Sequence, residues 1–330
     1  MSGLQSQLDS LRVARPLAEL TAGVLAVPGD VVINDVTLDS RVAAPGSLFL
    51  ACRGRTHHGL EFAEQAVARG ALAVLYEPDA GTPNFGASVF VAAVPQLSRH
   101  VGVIAERFFG APSQALTLAG ITGTNGKTTC AWLLAQALQF CGRPAAYMGT
   151  LGVGRPPTLT ATEHTTSDAV SVQRHLAALR NLGAECVCME VSSHALDQDR
   201  VAAVRFNTAA FTNLTRDHLD YHGTMQAYGA AKARLFAWPS LANRVINVDD
   251  AFGLRLAAQL SPARLVITTQ KDAAVSCLRH AQFVRAIRVT PDPAGLVIGV
   301  DSSWGSGELM VRLMGEFNVD NVLTVLAVLL

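Results

Sequence analysis

Lysine is nearly missing from this 330-residue chain: Lys127, Lys232 and Lys271 stand against 23 arginines. Net charge is missing too, since 26 basic residues balance 26 acidic ones. No global field therefore exists to recruit nucleic acid or an anionic membrane, and any polyanion must be held locally. The N-terminal stretch Met1 to Leu20 has no sustained apolar core, and the apolar stretch Val322 to Leu330 is too short to span a bilayer. Neither secretion nor membrane insertion is expected, and the cytoplasm is the expected compartment. Six cysteines (52, 130, 141, 186, 188, 277) lack the paired C-x-x-C spacing of a zinc site and read as reduced core residues. What is present is apolar bulk: half of the residues are hydrophobic, enough for about two domains at this length.

The strongest local signal is Gly120 to Thr129, Gly-Ile-Thr-Gly-Thr-Asn-Gly-Lys-Thr-Thr, which follows the apolar run Leu116 to Ala119 and precedes the helix-like Cys130 to Phe140. Strand, glycine-rich loop and helix in that order form a phosphate cradle. Gly123, Thr124, Asn125, Gly126 and Thr129 line it, Lys127 reaches the β- and γ-phosphates of a bound polyphosphate, and the Thr128 hydroxyl serves Mg²⁺. The glycine spacing departs from G-x-x-x-x-G-K-[ST], because Ile121 stands five residues before Gly126.

The fold class expected is α/β. Residues 1–110 read as a small domain, with strands near Val36 to Leu38, Ser47 to Ala51, Ala71 to Tyr76 and Ser88 to Val91, and helices at Leu60 to Arg69 and Leu97 to Phe109. Gly110-Ala111-Pro112-Ser113 breaks the pattern. Residues 111–330 then alternate strand and helix as a largely parallel P-loop domain whose last strands turn antiparallel, ending in an apolar helix from Asn318.

Three further constellations carry chemistry. Glu190 ends an apolar strand, where open parallel sheets place their ligands, and suits Mg²⁺; a helix-capping glutamate is the plainer alternative. Thr212 to Gly223 crowds Arg216, Asp217, His218, Asp220 and His222 into one loop after a strand, which suggests a metal or phosphate site. Lys232 lies among alanines on a helix. Buried near Mg²⁺ it would be disfavoured as a cation and could react with CO₂ to form a carbamate, whereas an ordinary solvated lysine is the simpler reading of sequence alone.

These segments, with Asn247 to Asp250 and Gly315 to Asn318, stand in the order found in the Mur ligases, and Thr37 to Arg41 with Pro45 to Phe49 resembles the uridine-binding domain of that family. The resemblance is closest to the branch that joins the third amino acid to UDP-MurNAc-L-Ala-D-Glu. It implies a monomeric ATP-dependent ligase of peptidoglycan biosynthesis working through an acyl phosphate. It also implies that Lys232 is N6-carboxylysine, that Thr128, Glu190, His218 and the Lys232 carbamate hold Mg²⁺, and that Lys127, Lys232 and His218 serve catalysis. Asn318 and Asn321 match residues that approach the nucleotide. Thr165, Thr166, Ser192, Gln198 and Arg200 match contacts to the muramoyl dipeptide, and Ser40 one near its uridine end.

Two departures stand out: His164 replaces a frequent Asn, and the chain stops where relatives continue into a third, amino-acid-binding domain. The incoming amino acid, meso-diaminopimelate or L-lysine, is chosen in that domain; the first two domains look closer to the diaminopimelate type. Alternatives are a folylpolyglutamate synthase-like ligase, against which the 110-residue leading domain speaks, and a non-catalytic module that binds the UDP precursor and ATP.

Overall fold

The computed structural model describes residues 3–27, 30–54, 56–78, 81, 83–272 and 280–330. Cys277 lies outside the described residues. The chain divides into two compact units, 1–115 with 167–182 and 198–204, and 116–166 with 183–197 and 205–330.

In the first unit four short parallel strands, β1 (Asp35–Thr37), β2 (Ser47–Ala51), β3 (Ala73–Tyr76) and β4 (Phe90–Ala93), pair in chain order. β2 and β3 are buried along their whole length, which is why they read as continuous apolar runs rather than alternating ones. The expected helix at Leu60 to Arg69 starts as a 3₁₀ turn over Gly59–Phe62 and becomes α1 (Ala63–Ala68). α2 (Leu97–Phe108) buries Leu97, Val101, Ile104, Ala105 and Phe108, one face of a 3.6-residue period.

The second unit is built on one eleven-stranded sheet. In chain order come β5 (Thr117–Thr122), α3 (Lys127–Phe140), β6 (Ala145–Gly149), β7 (Gly152–Arg155), β8 (Thr158–Thr160), α4 (Ala169–Asn181), which belongs to the first unit, β9 (Cys186–Glu190) and α5 (Ser193–Asp197). β10 (Thr208–Phe211), α6 (Met225–Ala233), β11 (Asn243–Asn247), α7 (Ala251–Ala258), β12 (Leu265–Thr269), β13 (Gln282–Asp292), β14 (Gly295–Ser302), β15 (Gly305–Val311) and α8 (Phe317–Leu329) follow. Across the sheet the order is β8-β7-β6-β9-β5-β10-β11-β12-β13-β14-β15. The strands from β6 through β13 run parallel, and β7, β8, β14 and β15 are added antiparallel. The antiparallel end was legible in the sequence; the β7–β8 hairpin was not, because its glycines and prolines read as loop. α6 stops at Ala233 and gives way to a 3₁₀ turn, Arg234–Ala237.

α3 and α8 share one apolar core through Cys130, Ala131, Leu134, Val319, Val322 and Leu323. Of the cysteines, 130, 186 and 188 are buried and free, but Cys52 is only half-buried and Cys141, just past the end of α3, is exposed. No helix among the described residues is long and apolar enough to cross a membrane.

A single boundary near Gly110 differs from this division, because the chain returns to the first unit twice. Arg174 on α4 explains the first return: its guanidinium donates to Asp35 Oδ1 at 2.7 Å and to the Val36 carbonyl at 2.9 Å, and lies 5.0 Å from the centroid of the Phe109 ring. The N-terminus of α4 is fixed by Asp168, whose carboxylate accepts from the Val170 and Ser171 amides.

One residue of α4 makes this unit sensitive to acid. Burial lowers the His175 pKa from its ordinary 6.5 to about 4, and its buried Nδ1 has no hydrogen-bond partner. The folded state therefore binds fewer protons than the unfolded chain, so stability is complete above pH 6.5 and falls as the pH drops towards 4. Denaturant titrations across that window should show a loss of up to about 3 kcal/mol. His175→Phe should flatten the slope; an unchanged slope would show that His175 is not its source.

Candidate active site

β5 lies between β9 and β10, so the C-terminal ends of three parallel strands meet at one edge. Glu190 pairs with Ile121, and Phe211 with Thr122, which sets both strand ends level with the start of the loop. The loop is fastened to the segment after β10. The Thr124 amide donates to the Asn213 carbonyl at 2.8 Å, the Asn125 amide to Asn213 Oδ1 at 2.9 Å, and Thr212 Oγ1 to the Asn125 carbonyl at 2.5 Å. With those two amides engaged, the first-turn amides of α3, Lys127 to Thr129, are the donors that helix geometry leaves for an anion. Sequence reasoning placed Thr212 and Asn213 in a motif but missed this fastening role.

Both site lysines converge on one atom. Lys127 Nζ donates to the carbonyls of Gly123 at 3.0 Å and Thr124 at 2.8 Å, and Lys232 Nζ donates to the Gly123 carbonyl at 2.6 Å. Lys232 is 1% exposed, and its Nζ lies 4.4 Å from the centroid of the buried Tyr228 ring. Burial, reinforced by the charge of Lys127, pulls the Lys232 pKa down to about 6; burial also lowers that of Lys127. Lys232 is thus not an ordinary solvated lysine.

Glu190 is fully buried, and its carboxylate is surrounded by donors. Thr128 Oγ1 donates at 2.9 Å and the Thr150 amide at 2.9 Å, and the Tyr147 hydroxyl is also bonded to it. Tyr147 and Thr150 escaped sequence reasoning, since neither lies in a phosphate-binding pattern. Among the described residues no group of three or more His, Cys, Asp or Glu could hold a metal ion. The oxygens of Glu190 and Thr128 face each other and are the ligand type that a hard divalent cation takes, so the donor chemistry fits magnesium.

His218 reaches the site through aromatic packing. Its ring lies 4.8 Å from that of His194 and 6.0 Å from that of Tyr228, whose hydroxyl is 3.2 Å from Thr124 Oγ1. Its backbone is left-handed at φ 52°, and its amide donates to Asp217 Oδ1. Asn321 on α8 meets the first turn of α3: Cys130 Sγ donates to its Oδ1 at 3.4 Å, and its Nδ2 donates to Asn318 Oδ1 at 2.9 Å. Thr165 accepts from Thr150 Oγ1 at 3.0 Å; Thr166 Oγ1 donates to the Glu190 carbonyl and accepts from the Ser192 amide. Ser192 Oγ accepts from the Ala195 amide in the first turn of α5. Ser40, hydrogen-bonded to Gln65, and Gln198 with Arg200, hydrogen-bonded to each other, belong to the first unit.

Fold and site together define an α/β P-loop protein with a buried carboxylate, a buried lysine and a partly buried one at its loop. Residues 121–329 match the Mur ligase middle domain and residues 32–108 the Mur ligase family catalytic domain. The chain belongs to the Mur ligase family. It is 49% identical over 310 residues to a UDP-N-acetylmuramoyl-L-alanyl-D-glutamate–2,6-diaminopimelate ligase of Ectopseudomonas mendocina, covering 92% of this chain and 61% of that protein. A protein of the same name from Pseudomonas aeruginosa is 45% identical, with 91% and 60% covered. This chain thus spans about six tenths of the length of these relatives. A solved structure of such a diaminopimelate ligase superposes with a TM-score of 0.78 at 32% identity, covering 96% of this chain and 63% of that one. A folylpolyglutamate synthase bound to AMPPCP and folate, at 14% identity and a TM-score of 0.52, shares the fold; 74% of this chain and 63% of that one are covered.

Gly126 is one of two loop positions that tolerate no side chain; at the other, Gly123, a Cβ would run into Thr212 Oγ1. At Gly126 φ is +84°, and a Cβ there would run into the Asn321 amide oxygen. Gly126→Ala should weaken ADP binding about tenfold or more, since left-handed strain of about 1–2 kcal/mol adds to that collision. Gly142, at φ +78° with nothing within 4 Å of a Cβ, is the control: Gly142→Ala should lower stability and leave ADP affinity alone. Equal ADP affinity in both variants, by calorimetry, would contradict the close approach of Asn321.

Proposed function

We propose that the chain carries the nucleotide site and the UDP-precursor site of a cytoplasmic ATP-dependent ligase that joins 2,6-diaminopimelate to UDP-MurNAc-L-Ala-D-Glu. The observation that carries this reading is the convergence of Lys127 and Lys232 on the Gly123 carbonyl, beside the Thr128–Glu190 pair. The diaminopimelate ligases at 45–49% identity supply the acceptor and the amino acid. Residues 1–110 take the uridine part of the precursor, with Ser40 near it, and residues 111–330 take ATP.

In this reading the D-glutamyl carboxylate of the precursor attacks the γ-phosphorus of ATP. The bond to ADP breaks, and an acyl phosphate forms. The amino group of diaminopimelate then attacks the acyl carbon, phosphate leaves, and the amine gives up a proton as the amide forms. Lys127 moves from the loop carbonyls to the phosphates, and the first-turn amides of α3 hold them in line. Lys232, as the neutral amine that its lowered pKa favours, adds to CO₂ and releases a proton, so a buried amine becomes a carbamate anion. Thr128, Glu190, His218 and that carbamate would hold magnesium, which when bound neutralises charge on the transferring phosphoryl group. Thr165, Thr166 and Ser192, linked through hydrogen bonds to Glu190 and α5, position the dipeptide carboxylate. Asn318 and Asn321 bring α8 to the nucleotide.

Calorimetry and an ADP-release assay test the proposal together. UDP-MurNAc-L-Ala-D-Glu should bind where folate does not, and ADP release should require it and rise with diaminopimelate. Lys232→Ala should abolish that release. ATP consumption that is equal without the precursor would overturn the ligase reading, and tight precursor binding without any phosphate release would leave a binding module in its place.

A further inference from the structure

Glu190 is held asymmetrically. Its Oε1 accepts from the Thr150 amide at 2.9 Å and is bonded to the Tyr147 hydroxyl. In that second bond Tyr147 is the donor, because a carboxylate oxygen accepts, and the Tyr147 oxygen itself accepts from the Leu151 amide at 3.2 Å. Among the described residues the other oxygen, Oε2, meets only hydroxyls, which can turn away: Thr128 Oγ1 at 2.9 Å and Thr150 Oγ1 at 3.3 Å. Thr150 Oγ1 also lies 3.0 Å from Thr165 Oγ1, and one hydroxyl hydrogen cannot serve both. Oε1 is therefore anchored and Oε2 exchangeable.

The anchor is built into the fold. Tyr147 is fully buried on β6, and its ring is held edge-on by Trp132 of α3, at 5.6 Å between centroids and 82° between planes. Gly149, two residues on, leaves room for the pair, since a Cβ there would collide with both the Glu190 carboxylate and the Tyr147 hydroxyl.

We propose that Tyr147 is a positioning residue that occupies Oε1 of Glu190, so that the carboxylate offers the nucleotide-bound cation a single oxygen, Oε2. The inference rests on the reading of Glu190 as a magnesium ligand. An outer hydrogen bond of this kind orients a ligand and restrains it from swinging to two-oxygen coordination, and its loss typically costs about 10–100-fold in metal affinity.

The readout is ADP affinity of the whole chain by calorimetry, with Mg²⁺ and with EDTA in its place. Tyr147→Phe keeps the ring against Trp132 and removes only the hydroxyl. It should leave ADP affinity in EDTA within about twofold and cut the enhancement by Mg²⁺ about tenfold. Gly149→Ala, which forces the carboxylate and hydroxyl apart, should cut it likewise. Glu190→Gln separates the two levels of the account. If Glu190→Gln removes the enhancement while Tyr147→Phe keeps it, the role of Tyr147 is overturned; if Glu190→Gln keeps it, the assignment of Glu190 itself fails. An equal loss of ADP affinity with and without Mg²⁺ in Tyr147→Phe would mean a merely structural role and would also overturn the inference.

Discussion

The carbonyl of Gly123 accepts from two lysines at once, and much of the site's chemistry follows from that single oxygen. Two ammonium groups sharing one acceptor out of water repel each other, and the more deeply buried of them is the one that gives up its proton more readily. Lys232 is that group, covered by the Tyr228 ring and carried by a helix of small residues that lets its backbone come close. Lys127, at the first position of α3, stays near the opening of the loop. One lysine is thereby suited to phosphate and the other to chemistry that needs a neutral amine.

The rest of the second unit holds that oxygen in place. The loop is fastened at Thr124 and Asn125 by Thr212 and Asn213 after β10, and is approached at Gly126 by Asn321 of α8. Across the switch point of the sheet, β9 brings Glu190 level with Ile121, so the carboxylate faces Thr128 on the loop's own helix. Three segments far apart in sequence thus fix a loop whose glycines would otherwise leave it loose.

Much of this was legible in the sequence because it is local. The loop reads from its glycines and from strand and helix on either side, Glu190 from its place at a strand end, and the antiparallel end of the sheet from late alternating strands. What was not legible depends on contacts with no sequence period. Tyr147 looks like any strand aromatic until Glu190 is brought to its hydroxyl, and Arg174 gives no sign that it ties α4 to Asp35. The carbamate at Lys232 was one of two readings the sequence left open, and family resemblance favoured it; the involvement of Asn318 and Asn321 came from family resemblance alone. In the fold Lys232 is buried, and the two asparagines are bonded to each other, with Asn321 also accepting from Cys130.

The chemistry of this site depends most directly on Lys232 being a neutral amine inside the folded protein. A ¹³C NMR spectrum of the chain equilibrated with ¹³C-bicarbonate addresses it: a carbamate carbon signal is expected from the unaltered chain, lost in Lys232→Met and persisting in Lys271→Met. Identical spectra from the unaltered chain and Lys232→Met would contradict it.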